Sequence, residues 1–379
     1  MENFTAFNPT TLHFGRNVCD GLAKTLMPFG NKVLLIYGRG SIVRNGLYNL
    51  ISRQLSENGF EVFEYDGIKP NPVVDDVDSA AAMGRAHKVD VILAVGGGSV
   101  IDSAKIISIS IPYGESAWDF YERKAKPESS VPLVTVLTLA ATGTEMNMFA
   151  VLQNNSTGVK AGYGHPLLFP RHSFLDPFNT QSVPASYTAY GIVDLMAHTL
   201  EAYFGQGEAS LSDRFAFSIL QEAMEFGTRL MKNLDDYDLR ARIMWAATCA
   251  LNGTPMHGRV SGDWGVHSIG HTLSLLFDTP HGASLSIAYP AWMKLMLPQI
   301  RDRLELLGKN LFSAQSAEEC IDELSSFFVI LGSPVRLSEA GIDAGKHPEI
   351  LRSFRQNRIS GANHKITADN YERLVELMA

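Results

Sequence analysis

Three apolar runs stand out in the first half of the chain, at residues 32–37, 89–95 and 131–137. Each is apolar at nearly every position instead of every second one, which is how a strand reads when helices cover both faces of its sheet. Each also stops at small residues: Gly38-Arg39-Gly40 after the first, Gly96-Gly97-Gly98 after the second, and the Thr/Gly-rich stretch from Thr138 to Thr144 after the third. Behind the first run, Leu47, Leu50, Ile51 and Leu55 recur at helical spacing, so strand and helix alternate and predict a parallel sheet. From about Val183 the pattern changes. Residues 195–204, 215–231 and 243–251 are long amphipathic or apolar stretches with few strand-like runs between them, and they predict an all-helical second half. The stretch 148–182 connects the two, with several prolines and a hairpin-like turn at Asn154-Asn155-Ser156-Thr157-Gly158. The expected architecture is an α/β domain with a parallel sheet over residues 1–182, followed by an all-α domain over residues 183–379.

Size agrees with two domains, since 379 residues exceed one ordinary core. A hydrophobic fraction of 45% and a charged fraction of 19% exclude disorder and fibrous repeats. The net charge of −8 argues against a nucleic-acid partner, so any bound phosphate must be held locally. No stretch approaches the ~20 apolar residues of a membrane span, and the first residues lack a basic-then-apolar leader. Cys19, Cys249 and Cys320 are scattered without CxxC spacing, which points to a reducing compartment. The expectation is a cytoplasmic protein with neither a membrane nor a nucleic acid as partner.

Candidate chemistry begins at the glycine triplet. Ligands of open parallel sheets sit beyond the carboxyl ends of strands, where backbone N–H groups favour anions. In the run from Gly96 to Lys105, Gly97 and Gly98 let the backbone approach a pyrophosphate, Ser99 offers a hydroxyl, and Asp102 can cap the helix or reach a nicotinamide amide. The first loop lacks the GxGxxG fingerprint. No carboxylate stands at Gly38, Arg39 or Gly40, where it would repel a 2′-phosphate, while Arg39 and Ser41 can bind one. That balance points to NADP(H).

In the second half, Asp194 and His198 are four apart in an apolar helical stretch and so share one face. His267 and His271 repeat the spacing, and fourteen residues after His267 comes Pro280-His281-Gly282, where helix breakers let His281 turn back instead of lying ~21 Å along the same axis. A buried carboxylate among imidazoles calls for a cation, and this donor set suits zinc or ferrous iron. The pool has five members for about four positions, and spacing does not choose between His267 and His271. Of the remaining histidines, His13, His87, His165, His172, His347 and His364 read as surface or core residues, and His257 stands apart in Pro255-Met256-His257-Gly258.

Taken together, Gly-Gly-Gly-Ser-x-x-Asp-x-x-Lys at 96–105, Thr-Gly-Thr-Glu at 142–145, Asp-Pro at 176–177, Asp-x-x-x-His at 194–198, His-x-x-x-His at 267–271 and Pro-His-Gly at 280–282 resemble the iron-containing, group III, alcohol dehydrogenases. The resemblance runs from about Phe14-Gly15 to the C-terminus and is nearest to the NADP-dependent butanol dehydrogenase and aldehyde reductase branch. It implies a dinucleotide-binding α/β domain and a helical domain, in dehydroquinate synthase-like architecture. It makes Asp194, His198, His267 and His281 the metal ligands and leaves His271 beside the substrate as the catalytic, proton-relaying residue. It places cofactor contacts at Gly38, Gly40, Ser41, Asn71, Gly97, Gly98 and Ser99, and further along at Asp102, Thr138, Thr142, Asn147 and Lys160. Family members carry iron or zinc, so the metal's identity does not transfer.

What the resemblance implies is hydride transfer between NADP(H) and a small primary alcohol or aldehyde in a homodimer. Two other readings share the architecture. One is polyol oxidation with NAD, as in glycerol dehydrogenases. The other is a metal-dependent carbon–oxygen lyase like the dehydroquinate synthases, which keep NAD through a cycle.

Overall fold

The computed structural model describes residues 1–38 and 40–379. Arg39, on which the expected 2′-phosphate contact rests, lies outside the described residues. The chain forms two compact units. One comprises Phe7–Val183 and Asp235–Met244; the other comprises Met1–Ala6, Pro184–Leu234 and Trp245–Ala379.

Among the described residues the first unit contains eight strands: β1 (Thr11–Phe14), β2 (Lys32–Gly38), β3 (Glu61–Ile68), β4 (Val91–Gly96), β5 (Leu133–Leu137), β6 (Phe149–Asn154), β7 (Val159–Gly164) and β8 (His172–Leu175). Six of them make one parallel sheet in the order β1-β8-β5-β4-β2-β3, and β6 pairs antiparallel with β7. The expected parallel sheet is therefore present, with its apolar runs at the centre. Along β4, Ile92 and Ala94 enter a core shared with the helices Val74–His87 and Gly98–Tyr113, while Val91, Leu93 and Val95 enter one shared with the helix Leu47–Glu57. Burial on both faces is why these strands lack alternation. The hairpin turn falls between Asn154 and Val159, where the sequence places it.

Strand order creates a crevice. From β2 the chain goes to β3 on one side, and β4 then adds on the other, so the order reverses between β2 and β4. Tyr37 lies opposite Val95, which sets the loops after Gly38 and Gly96 side by side at the carboxyl ends of the strands. A doubly wound sheet binds its ligand at such a point.

The second unit is helical. Its principal helices are Ala185–Tyr203, Ser210–Leu230, Gly265–Phe277, His281–Leu311 and Ala317–Ile330. The first starts ten residues before the expected 195, because Tyr187, Tyr190 and Gly191 blur its apolar period. From Thr188 to Tyr203 every residue but Tyr190 is buried, so this helix runs through the interior. Among the described residues no helix is long and apolar enough to cross a membrane.

Candidate active site

Asp194 and His198 lie one turn apart on the buried helix Ala185–Tyr203. The helix carrying His267 ends at Phe277, Asp278 adopts a left-handed conformation with φ 52°, and His281 opens the next helix. The reversal brings the His267 and His281 rings to 5.3 Å. Gly282 sits inside the new helix and does more than break the old one: a Cβ there would lie 2.1 Å from the carbonyl oxygen of Tyr190, one turn before Asp194. This close approach sets Asp194 Oδ1 3.5 Å from His281 Nε2, with His198 Nδ1 at 3.6 Å. His198 and His267 stand 4.7 Å apart between ring centroids. One donor atom from each of the four residues lies within 4.8 Å of the other three.

The residues fit a divalent cation. Nδ1 of His198 and Nε2 of His267 are buried and have no hydrogen-bond partner among the described residues, an expensive state unless a cation takes the lone pairs. Burial lowers the pKa of both rings: His267 falls to about 3, and His198, with His267 beside it, falls well below 6.5. Both are therefore neutral, ligand-ready imidazoles at pH 7. A tetrahedral site with bonds of ~2.0–2.1 Å separates its donors by about 3.3 Å, close to the 3.5 and 3.6 Å found here. His271 is half-buried one turn beyond His267, its ring 5.7 Å from His281 and 6.4 Å from His267, outside the group of four.

Two carboxylates that the sequence did not single out surround this group. Glu201, three residues past His198 on the same helix, accepts hydrogen bonds from the backbone N–H groups of Trp264 at 2.5 Å and His267 at 3.0 Å, and stands 2.9 Å from His267 Nδ1. Burial pushes its carboxyl up to about 8 against these bonds. Asp263 accepts from Gly265 N–H at 3.1 Å and from Asn363 and His364 N–H at 3.0 and 2.6 Å, and burial raises it as well. The signal for Glu201 was present: an acid seven residues after Asp194, flanked by Leu200 and Ala202 in a helix apolar on all sides.

In the first unit, the glycine loops pack too tightly for side chains. A Cβ on Gly98 would meet Thr142 Cγ2 at 2.7 Å, one on Gly97 would meet Leu139 Cβ at 3.2 Å, and Thr138 N–H donates to the Gly96 carbonyl at 3.0 Å. Ser99 Oγ donates to the Pro70 carbonyl at 2.5 Å, and Lys160 Nζ donates to Asn71 Oδ1 at 2.8 Å. Ser99, Asn71, Thr142 and Lys160 thus gather around the loop after β4. At the loop after β2, Gly40 is left-handed with φ 82° and donates its N–H to the Gly38 carbonyl, and Ser41 is exposed.

Below this surface lies a polar network. The fully buried Lys105 donates to Thr144 Oγ1, Asn147 Oδ1 and the Phe149 carbonyl at 2.7, 2.9 and 2.7 Å. Asp102 accepts from Thr144 Oγ1 at 2.6 Å and Val151 N–H at 2.8 Å, while the Asn147 amide also donates to the Gly143 carbonyl. Asp102 and Asn147 both therefore hold loop structure through internal bonds. Among the other histidines, His257 stacks on Phe4 at 5.0 Å, and His13 pairs with His172 at 3.1 Å.

Comparison with known proteins agrees with this architecture. Residues 9–177 match the model of the iron-containing alcohol dehydrogenases, and residues 188–377 match the C-terminal model of the Fe-containing alcohol dehydrogenase family. A probable NADH-dependent butanol dehydrogenase of Bacillus subtilis is 42% identical over 90% of this chain and 91% of its own length. The NADPH-dependent aldehyde reductase YqhD of Escherichia coli is 35% identical over 99% of both. The crystal structure of an NADH-dependent butanol dehydrogenase A from Thermotoga maritima superimposes with a TM-score of 0.96 at 36% identity, covering 100% of this chain and 99% of that one. The chain belongs to the iron-containing alcohol dehydrogenase family, whose members oxidise alcohols and reduce aldehydes.

Proposed function

We propose that this chain is an NADP(H)-dependent alcohol dehydrogenase and aldehyde reductase that uses one divalent metal, iron or zinc, and acts on small primary alcohols or aldehydes. The observation that carries the reading is the convergence of Asp194, His198, His267 and His281 onto one point, with Nδ1 of His198 and Nε2 of His267 lacking a hydrogen-bond partner among the described residues. The reading divides the labour, with residues 1–182 binding the nucleotide and residues 183–379 the metal. A cation held there supplies Lewis acidity toward the substrate oxygen, and the nicotinamide supplies or takes the hydride.

The chain's own groups bind and orient. Gly97 and Gly98 offer backbone N–H groups to a pyrophosphate at the start of the helix Gly98–Tyr113. Ser99, Asn71, Thr138, Thr142 and Lys160 line the approach, and Gly38, Gly40 and Ser41 meet the adenosine end. Asp102 and Asn147 shape the loop through the bonds described above. His271, at the margin of the four-residue cluster, passes the proton to or from the substrate oxygen. The NADP(H) preference is supported by the lack of a carboxylate at residues 38–40 and by the name of the E. coli relative, although the B. subtilis and T. maritima proteins are named for NADH. The reading extends to a cytoplasmic homodimer, in keeping with three cysteines scattered along the sequence without CxxC spacing.

Oxidation of NADPH and NADH against a panel of short aldehydes, with metal analysis of the same preparation, tests this. We expect stoichiometric turnover, a higher kcat/KM with NADPH, and one metal per chain. His271→Ala should keep the metal and lose rate, while His267→Ala should lose both. Metal loss in His271→Ala would overturn the ligand assignment, and faster turnover with NADH would overturn the cofactor preference.

A further inference from the structure

Two helices supply three of the four proposed metal ligands, and one side chain joins them. Glu201 leaves the helix of Asp194 and His198 three residues past His198, and both its oxygens end on the helix of His267. Its Oε2 takes the N–H of Trp264, the residue just before that helix, and its Oε1 takes the N–H of His267. Trp264 holds a left-handed backbone with φ 64°, uncommon for a bulky residue, so this N–H is aimed at the carboxylate by a conformation that needs support. The segment is tight elsewhere too: a Cβ on Gly262 would lie 3.3 Å from the Glu201 carbonyl, and Asp263 N–H donates to that carbonyl at 3.0 Å. The same Oε1 stands 2.9 Å from His267 Nδ1. In its ionised form, which a cation beside it favours, Glu201 can only accept from the ring, so Nδ1 carries the hydrogen and Nε2 is left with its lone pair. That Nε2 is buried and has no hydrogen-bond partner among the described residues.

From this geometry we infer that Glu201 is a positioning residue of the metal centre: it fixes His267 in the Nδ1–H tautomer and locks its helix to the one bearing Asp194 and His198. The inference rests on the metal reading above. An imidazole held by an outer carboxylate in this way is a better ligand, because ring orientation, tautomer and basicity are set before the cation arrives. In Glu201→Gln the amide has one oxygen and one NH2 for two donor-bearing positions. It must turn its NH2 either toward Trp264 N–H or toward the ring, and the second choice reverses the tautomer.

The test uses metal-depleted full-length protein and cobalt(II) as the probe. We expect one cobalt per wild-type chain, and binding about 10- to 100-fold weaker in Glu201→Gln. We also expect an Nδ1–H tautomer for His267 in nitrogen NMR of the wild-type, histidine-labelled apoprotein above pH 8, with Glu201 ionised. A role confined to folding would lower the unfolding temperature of the apoprotein without changing the cobalt affinity of folded molecules. Equal affinity in wild type and Glu201→Gln, or an Nε2–H tautomer in the wild type, would overturn the inference. If the wild type takes up no cobalt, the metal reading itself fails, and the tautomer alone then decides the orienting role. The NMR arm needs no variant, so it still decides if Glu201→Gln does not fold.

Discussion

Lys105 is buried completely, yet its ammonium has three oxygen acceptors and Asp102 and Glu145 nearby. Burial lowers its pKa from 10.5 to about 7 against the pull of those two acids, while burial raises Asp102 against the pull of Lys105. The sign of the pH effect follows from the lysine. Between about pH 7 and 10.5 the unfolded chain holds a proton at this position that the native protein has released, so raising the pH favours the native state across that window. From pH 7 to 8.5 the wild type should gain roughly 1.5 kcal/mol relative to Lys105→Met. At pH 7 the variant should be less stable by about 3–5 kcal/mol, because Thr144 Oγ1, Asn147 Oδ1 and the Phe149 carbonyl lose their buried donor. Urea unfolding of both proteins at the two pH values checks both numbers, and parallel behaviour would mean that Lys105 stays charged throughout. The variant should also raise the KM for the nicotinamide cofactor, since Thr144 and Asn147 lose the group that anchors their loop.

At the scale of elements, close approach matters as much as side-chain chemistry. Gly282 lets the helix His281–Leu311 touch the backbone of Tyr190, and Gly282→Ala would force a Cβ to 2.1 Å from that carbonyl. The two helices must then separate, at a cost of about 1–3 kcal/mol by analogy with overpacked cores, and His281 moves away from Asp194. The expected result is a lower unfolding temperature together with weaker metal binding. If calorimetry shows destabilisation while metal affinity stays unchanged, the approach serves packing alone. The same helices show what the sequence made legible. Four-residue spacing in an apolar stretch exposed Asp194 with His198 and His267 with His271, and helix-breaking residues announced the return of His281. Glu201 escaped because one acid near a helix end ordinarily reads as a solvated residue, and its meaning depends on Trp264 and His267, more than sixty residues away. The central strands were legible because burial on both faces makes them continuously apolar. The edge strand β3 was not, since Glu61, Glu64 and Asp66 interrupt Val62, Phe63 and Tyr65, and β1 and β8 are only four residues each, with a histidine in both.

Across the whole molecule, the four proposed metal ligands belong to one compact unit and the loops proposed to bind the nucleotide to the other, so the effect of each ligand on stability should be local. A ligand that binds only the folded state stabilises it by RT ln(1 + [L]/Kd), about 2.7 kcal/mol at a hundredfold excess over Kd. For a unit of this size each kcal/mol moves the midpoint by about 2–4 °C. Removing the metal with a chelator should thus lower the unfolding temperature of the helical unit by about 5–10 °C. Hydrogen exchange gives the location: peptides from the helices Ala185–Tyr203 and Gly265–Phe277 and from the start of His281–Leu311 should lose protection, while β4 and β5 keep theirs. Adding NADPH to the chelated protein should do the opposite, protecting the loops after β2, β4 and β5 without restoring the helices. Loss of protection spread evenly over both units would mean that the cation stabilises the molecule through something other than Asp194, His198, His267 and His281. Unchanged protection in those three helices would mean that the site is already rigid in the absence of metal, with Glu201 and Asp263 sufficient to hold it.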